Sequence, residues 1–319
     1  MPKSINAAQL SHVLPTNPII IDIRTPYEYS SYHLPTAINI PYQTLVMYPE
    51  RYLNRQDTYY LICQHGGESY LLKEGDQLMV LFPEEMRSEG LIPYDFPLDV
   101  VYEDDYLLVV NKPSGLPTIP SIRHPYQTLA NAIVHYYDTI SLSSTLHFVN
   151  RLDRDTSGLL VVAKYRHIHH LLTKDVKQIR RKYYTLVKGV LSMGEGVVNA
   201  PIAREIEGNV RRCVREDGDI SITHYRVLEN WDDHMTLVEC ELETGRTHQI
   251  RVHMKHLGHP LVGDTLYDEK ALPLEEGHLL HSYQLSFIHP ITKVLHTFET
   301  QLPNRFSTLK KVKENTSVE

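Results

Sequence analysis

Residues 148–164 read FVNRLDRDTSGLLVVAK, with four charged side chains in five positions directly ahead of an unbroken apolar run. The run Leu159–Ala163, with Val161 and Val162 inside it, suits a strand buried on both faces. Such a strand exists only within a packed sheet. The charged half, Arg151-Leu152-Asp153-Arg154-Asp155, must therefore be a loop delivered to the edge of a core, through the turn Thr156-Ser157-Gly158. Arg151 and Arg154 flank Asp153 and favour its ionised form wherever either approaches it. On spacing alone, a surface cluster of ion pairs fits the stretch as well.

Two further constellations stand downstream. Arg181-Lys182-Tyr183-Tyr184-Thr185-Leu186-Val187-Lys188-Gly189 closes a basic block that begins at Lys174. Glu243-Thr244-Gly245-Arg246-Thr247-His248-Gln249-Ile250-Arg251-Val252-His253 has the form of a turn at Gly245 opening a helix, with Gln249 and His253 on one side of it.

All three stretches, in this order, resemble RluA-type pseudouridine synthases. The first is similar to that family's H-R-L-D-x-x-T-S/T-G-L loop, with Asn150 in place of the usual His. The second is similar to K-x-Y-x-A-x-x-x-G in loose form, and the third to G-R-T/S-H-Q-I/L-R-V-H. VYEDDYLLVVNKPSGL near residue 101 and the text from GHPLVGDTLYD to Pro290 continue the likeness, which covers residues 91–303. The resemblance implies an α+β fold with a mixed, largely antiparallel sheet and a cleft for RNA. It makes Asp153 the catalytic carboxylate, as nucleophile or as base. Tyr183 is then the base-stacking residue, with Tyr184 one position away as the competitor. It expects Arg251, and after it Arg246, to pair with Asp153. Arg151, Asn150, Arg246, Thr247, His248 and Gln249 are expected to contact substrate.

The net charge of −7 argues at first against a nucleic-acid partner, but its distribution matters more. Residues 70–149 carry −7, whereas residues 150–319, with all three constellations, carry +1. No run approaches the roughly 18 apolar residues of a membrane span, and the start, MPKSINAAQL, lacks the apolar core of a signal peptide. The three cysteines form no C-x-x-C pair. The expectation is a cytoplasmic, monomeric protein.

Residues 1–69 read as a separate unit. Ile19–Ile21 ends at Asp22, a second short strand surrounds Ala37–Ile40, and Thr58–Ile62 delivers Cys63 at the head of CQHGGES. Strand, thiol and glycine-rich loop make an anion-binding nest. Asp22, Arg24, the His33-Leu34-Pro35 turn and the Cys63 loop resemble a rhodanese-like domain. Glu68 replaces the arginine common in that family's loop, so Cys63 is expected to be a vestigial sulfurtransferase site. The sequence shows no closing half of the domain after the loop, and an incomplete sheet is expected. YLLKEGDQLMVLFPEE then resembles the tail of an S4-like RNA-binding domain, which makes residues 70–90 a linker. Residues 304–319 read as a polar tail.

Pseudouridine formation breaks N1–C1′, turns the uracil and joins C5 to C1′, so it needs neither oxidant nor imported group, and no cofactor is expected. Uracil leaves as a delocalised anion, and one ionised carboxylate suffices where hydrolytic glycosidases use two. The 19 histidines include H-x-H-H at His167–His170 and the series His253, His256, His259. Neither has zinc-ligand company, and no metal is expected. The resulting expectation is an isomerase acting on structured ribosomal or transfer RNA. The alternative is a non-catalytic RNA-binding protein or a persulfide carrier.

Overall fold

The computed structural model describes residues 3–5, 19–31, 33–34, 36–53, 59–62, 78–81, 87, 90–142, 144–174, 179–231 and 234–309. Cys63, Glu68, Pro35 and most of the 70–90 segment lie outside these. The chain divides into two compact units, Met1–Met86 and Arg87–Glu319.

In the first unit, strands β1 (Lys3–Ile5), β2 (Ile19–Asp22), β3 (Ala37–Asn39), β4 (Tyr59–Ile62) and β5 (Leu78–Leu81) form one sheet in the order β1-β5-β4-β2-β3. Every pairing among them is parallel. Helices α1 (Pro26–Ser31), α2 (Tyr42–Met47) and α3 (Pro49–Tyr52) lie between β2 and β4 in the chain. A parallel sheet is stable only with both faces covered, and the isoleucine runs provide two apolar faces. Ile21 and Leu61 pack with Ile23, Ile40 and Leu45, while Ile20 and Ile62 pack with Ala37.

β5 corrects the sequence reading of this region. The strand assigned to an S4-like tail lies between β1 and β4 and completes a five-stranded sheet. Leu-Met-Val-Leu has no polar alternation, which suits an interior strand of a parallel sheet and not an exposed linker. The rhodanese-like unit thus runs past residue 69.

The second unit is built on a ten-stranded mixed sheet. Its elements in chain order are β6 (Val100–Glu103), β7 (Leu107–Lys112), α4 (Leu129–Thr139), β8 (His147–Phe148), β9 (Ser157–Ala163), α5 (Arg166–Thr173), β10 (Arg180–Lys188) and β11 (Glu195–Asn199). They continue with β12 (Ile202–Arg204), β13 (Arg212–Val214), β14 (Ile222–Trp231), β15 (Met235–Leu242), α6 (Gln249–His256), β16 (Leu280–Ile288) and β17 (Leu295–Glu299). The order is β11-β14-β15-β10-β16-β9-β7-β6, with β17 beside β16, β8 beside β9, and β12 and β13 paired separately. β9 and β16 run parallel, at Ser157–His281 and Gly158–Ser282; the other pairings of this sheet are antiparallel.

The hairpin β6–β7 turns where Asp104 Oδ1 accepts the N–H groups of Tyr106 and Leu107. Thr128 and Asn131 cap the start of α4 reciprocally. β7 and β9 are buried on both faces: Leu108, Val110, Leu160 and Val162 enter one core, and Leu107, Val109, Leu159 and Val161 the other. Residues 304–309, read as the start of a polar tail, are helical. Phe306 is fully buried among Leu186, Trp231, Met235, Leu237 and Leu279.

Candidate active site

The loop 150–156 is fixed through its backbone. The Leu152 side chain is buried in the core, and its carbonyl accepts the Thr118 hydroxyl at 2.6 Å. The Asp153 carbonyl accepts the Thr156 N–H at 3.2 Å. The Arg154 carbonyl accepts Lys112 Nζ at 2.9 Å, and the Asp155 carbonyl accepts the Ser114 hydroxyl at 2.7 Å. Four successive carbonyls are thus held by the β9-leading turn, the end of β7 and the segment that follows it. Gly158, at φ 111°, lets β9 approach β16; a Cβ there would overlap the Ser282 backbone.

Asp153 is presented by this loop to α6. Arg251 Nη1 donates to Asp153 Oδ2 at 3.0 Å, while its Nε and Nη2 each donate to an Asp264 oxygen at 2.8 Å. Asp264 is only 1% exposed and Arg251 is 6% exposed, so a buried bidentate pair aims the third guanidinium nitrogen at Asp153. Asp264 Oδ1 also accepts from the Leu266 and Tyr267 N–H groups.

His248, left-handed at φ 60°, precedes α6 and places Nε2 3.8 Å from Asp153 Oδ2. The Tyr267 hydroxyl accepts the Arg212 N–H at 2.9 Å and lies 2.7 Å from His248 Nδ1. With the Tyr267 proton directed to Nδ1, the tautomer assigned to His248 carries its proton on Nε2, toward Asp153. His278 sits under the loop, 2.9 Å from the Thr156 hydroxyl.

Burial pushes the Asp153 carboxyl up, but His248, Arg251 and His278 together hold it below the usual carboxylate range. Burial lowers His248, and lowers His278 to about 4. Tyr183 faces the core and is 5% exposed; burial raises its hydroxyl, and the Asp153 charge adds to that rise. Tyr184 points to the opposite side of β10 and stacks on Tyr283, ring centroids 3.7 Å apart. β10 keeps its register with β15 but shifts against β16 beyond Lys182, where Tyr283 is the extra residue.

Asp153, Arg251, His248 and Tyr183 are brought together. Other expected contacts lie elsewhere. The Asn150 amide is turned onto β9, accepting the Val161 N–H at 2.9 Å and donating to the Leu159 carbonyl at 3.4 Å. Gln249 is buried, its amide joining Thr244, Arg246 N, the Ile222 carbonyl and Thr223. Both amides, expected at the substrate, are engaged within the protein, Asn150 by backbone groups and Gln249 by backbone groups and two hydroxyls. Arg246 meets the Ile220 carbonyl and Asp219, not Asp153. Thr247 and Arg151 are exposed. His253 bonds Thr223 and the Ala200 carbonyl, so Gln249 and His253 do share one side of α6. Among the described residues, no group of three His, Cys, Asp or Glu is placed to hold a metal ion. Sequence reasoning passed over Lys112, Asp264, Tyr267 and His278 as site members. All four lie in stretches whose family likeness was noted, and the one local signal was an aspartate or lysine inside an otherwise apolar run.

A sequence profile described as RNA pseudouridylate synthase matches residues 106–256, and one described as a rhodanese-like domain matches residues 6–83. The uncharacterized RNA pseudouridine synthase YjbO of Bacillus subtilis is 46% identical over 248 residues, 77% of this chain and 87% of that protein. The chain belongs to the RNA pseudouridine synthase family. Its family is one of isomerases acting on RNA, here with an N-terminal rhodanese-like domain. Another synthase of this family, the ribosomal large subunit pseudouridine synthase D of Xylella fastidiosa, is 40% identical over 68% of this chain and 69% of its own length. The solved structure of human RNA pseudouridylate synthase domain containing 4 superposes with a TM-score of 0.53 at 25% identity, covering 65% of this chain and 90% of that one. The α+β synthase fold expected from the sequence is thus shown. No helix among the described residues is long and apolar enough to cross a membrane.

Proposed function

We propose that this chain isomerises uridine to pseudouridine in a structured ribosomal or transfer RNA, with Asp153 as the catalytic carboxylate. The observation that carries the reading is the Asp153–Arg251–Asp264 relay. A second, buried carboxylate fixes the guanidinium, and the guanidinium keeps Asp153 ionised and oriented. An ionised oxygen is the requirement of both courses, attack on C1′ and removal of the C2′ proton. In either, the N1–C1′ electron pair leaves with uracil and the base turns against the Tyr183 ring; C5 then bonds to C1′ as the Asp153–C1′ bond breaks or the C2′ proton returns, and C5 loses its proton while N1 gains one. His248 and Arg251 present N–H groups to Asp153 and stabilise its charge before and after the step. Arg151, exposed at the mouth of the loop, fills the space a flipped uridine vacates. Relatives named for the ribosomal large subunit favour ribosomal RNA. The protein acts as a monomer in the cytoplasm.

The test is carbodiimide mapping of pseudouridine in total RNA from cells with and without the gene. One or a few uridines should lose the modification and regain it when the purified protein is added. Identical maps would contradict the reading.

A further inference from the structure

Among the described residues, Arg181 is a buried cation that forms no ion pair. It lies in β10 two residues before Tyr183, on the same face of the strand, and is 8% exposed. Its Nε and Nη2 are buried, and among the described residues neither has a hydrogen-bond partner. Nη1 lies against Gly245, where a Cβ would come within 2.6 Å of it. Gly245 opens the turn that leads to His248 and Arg251. Arg181 therefore lies beside the turn that leads to the partners of Asp153, two residues ahead of Tyr183 in the same strand. Its charge reaches the Tyr183 hydroxyl, opposing the rise that burial causes. A buried, unpaired guanidinium destabilises the free protein, so its partner is a group that arrives with substrate. Backbone phosphates stay at the rim of such a pocket, and what enters is the flipped base.

We propose that Arg181 receives the uracil oxygen on which negative charge collects as the N1–C1′ bond breaks. This rests on the reading of Asp153 given above. The electron pair of the broken bond leaves with uracil and spreads over N1 and the two carbonyl oxygens. Arg181 donates N–H to one of those oxygens, and the bond strengthens as the charge grows, which favours the transition state over bound substrate. When C5 bonds to C1′, C5 gives up its proton and N1 gains one, so the product has the atoms of the substrate and no co-reactant is consumed. Gly245 is then glycine because any side chain would push the guanidinium aside.

The full-length chain is compared with Arg181→Met, Arg181→Lys and Gly245→Ala on a target RNA. Arg181→Met should lower the single-turnover rate at saturating RNA by roughly 10²–10³-fold. RNA affinity and its salt dependence should stay unchanged, and Tm should not fall, because an unpaired charge has been replaced by an apolar chain of similar length. Arg181→Lys should recover part of the rate, and Gly245→Ala should lose rate without losing affinity. A weaker affinity, a salt slope smaller by about one and an intact saturated rate would overturn the proposal in favour of a phosphate contact. Tm and rate falling together would overturn it in favour of a structural role. Asp153→Asn, run alongside, separates the two claims. Turnover by that variant contradicts the assignment of Asp153, whereas an inert Asp153→Asn with Arg181→Met at the parent rate contradicts only the role of Arg181.

Discussion

Arg251 is the residue on which the site turns, because one guanidinium serves two carboxylates of different standing. Asp264 is sealed in, while Asp153 is 27% exposed and free to meet a substrate. Arg251→Ala leaves a buried carboxylate without its cation and should cost about 3–5 kcal/mol of stability. Arg251→Lys keeps a charge beside Asp264 but has one point of donation where three are used. It should fold with a smaller loss while its rate falls by roughly 10²-fold or more. Denaturant titration and single-turnover kinetics on both variants check this split. Tyr183 makes a second residue-scale prediction. Tyr183→Phe keeps the ring and should bind RNA like the parent, whereas Tyr183→Ala should lose roughly 1–3 kcal/mol of affinity; equal affinity for all three would remove the ring from the pocket. At this scale the sequence was legible where a motif forces a contact. Arg251, expected ahead of Arg246 to pair with Asp153, makes that contact, and Arg246 does not. The Asn150 and Gln249 amides take backbone partners on β9 and at the start of β14, which the spacing within their motifs does not specify.

Among the elements, β7 does more than supply a strand to the sheet. Lys112 is 1% exposed, and its Nζ donates to the carbonyls of Pro113, Leu116 and Arg154 at 2.9, 2.7 and 2.9 Å. It ties β7 to the Asp153 loop. Burial pulls its pKa from 10.5 down to about 7, against the opposing charges of Asp153 and Asp155. The folded-state value is below the unfolded one, so between about pH 7 and 10.5 the unfolded chain holds more protons than the native protein. This group makes stability rise with pH across that window. Lys112→Met should flatten the rise and, by releasing the Arg154 carbonyl, slow catalysis. Denaturant titrations from pH 6.5 to 9.5 on parent and variant measure it, and parallel curves would contradict it. The strands themselves were readable from apolar runs: the expected span Leu159–Ala163 falls within two residues of β9. The sheet order was not, because β16 must cross to lie between β9 and β10, and only pairings distant in sequence specify that.

For the whole molecule, the division at Met86–Arg87 replaces the sequence expectation of a junction near residue 69. The error was physical in origin: β5 joins its sheet between β1 and β4, and a strand seen without its neighbours reads as linker. The fifth strand also answers part of the sequence argument for weak sulfur transfer, the missing closing half, and leaves Glu68 as the other part. Arg87 belongs to the synthase unit, donating to the carbonyls of Leu142 at 2.8 Å and Ser144 at 3.1 Å and pairing with Asp138. A protein beginning at Arg87 should therefore keep the single-turnover rate, and one beginning at Leu91 should melt lower, since both carbonyls lose their donor. Loss of isomerisation in the Arg87 form would give the rhodanese-like domain a part in the chemistry. The most direct test of the central claim is pseudouridine formation by Asp153→Asn on an RNA the parent modifies, measured in a single turnover alongside RNA affinity. The substitution keeps size and hydrogen bonding but removes the negative charge. The account predicts affinity near that of the parent and no detectable pseudouridine, whereas turnover at even about a tenth of the parent rate, roughly 1.4 kcal/mol in the barrier, would contradict it.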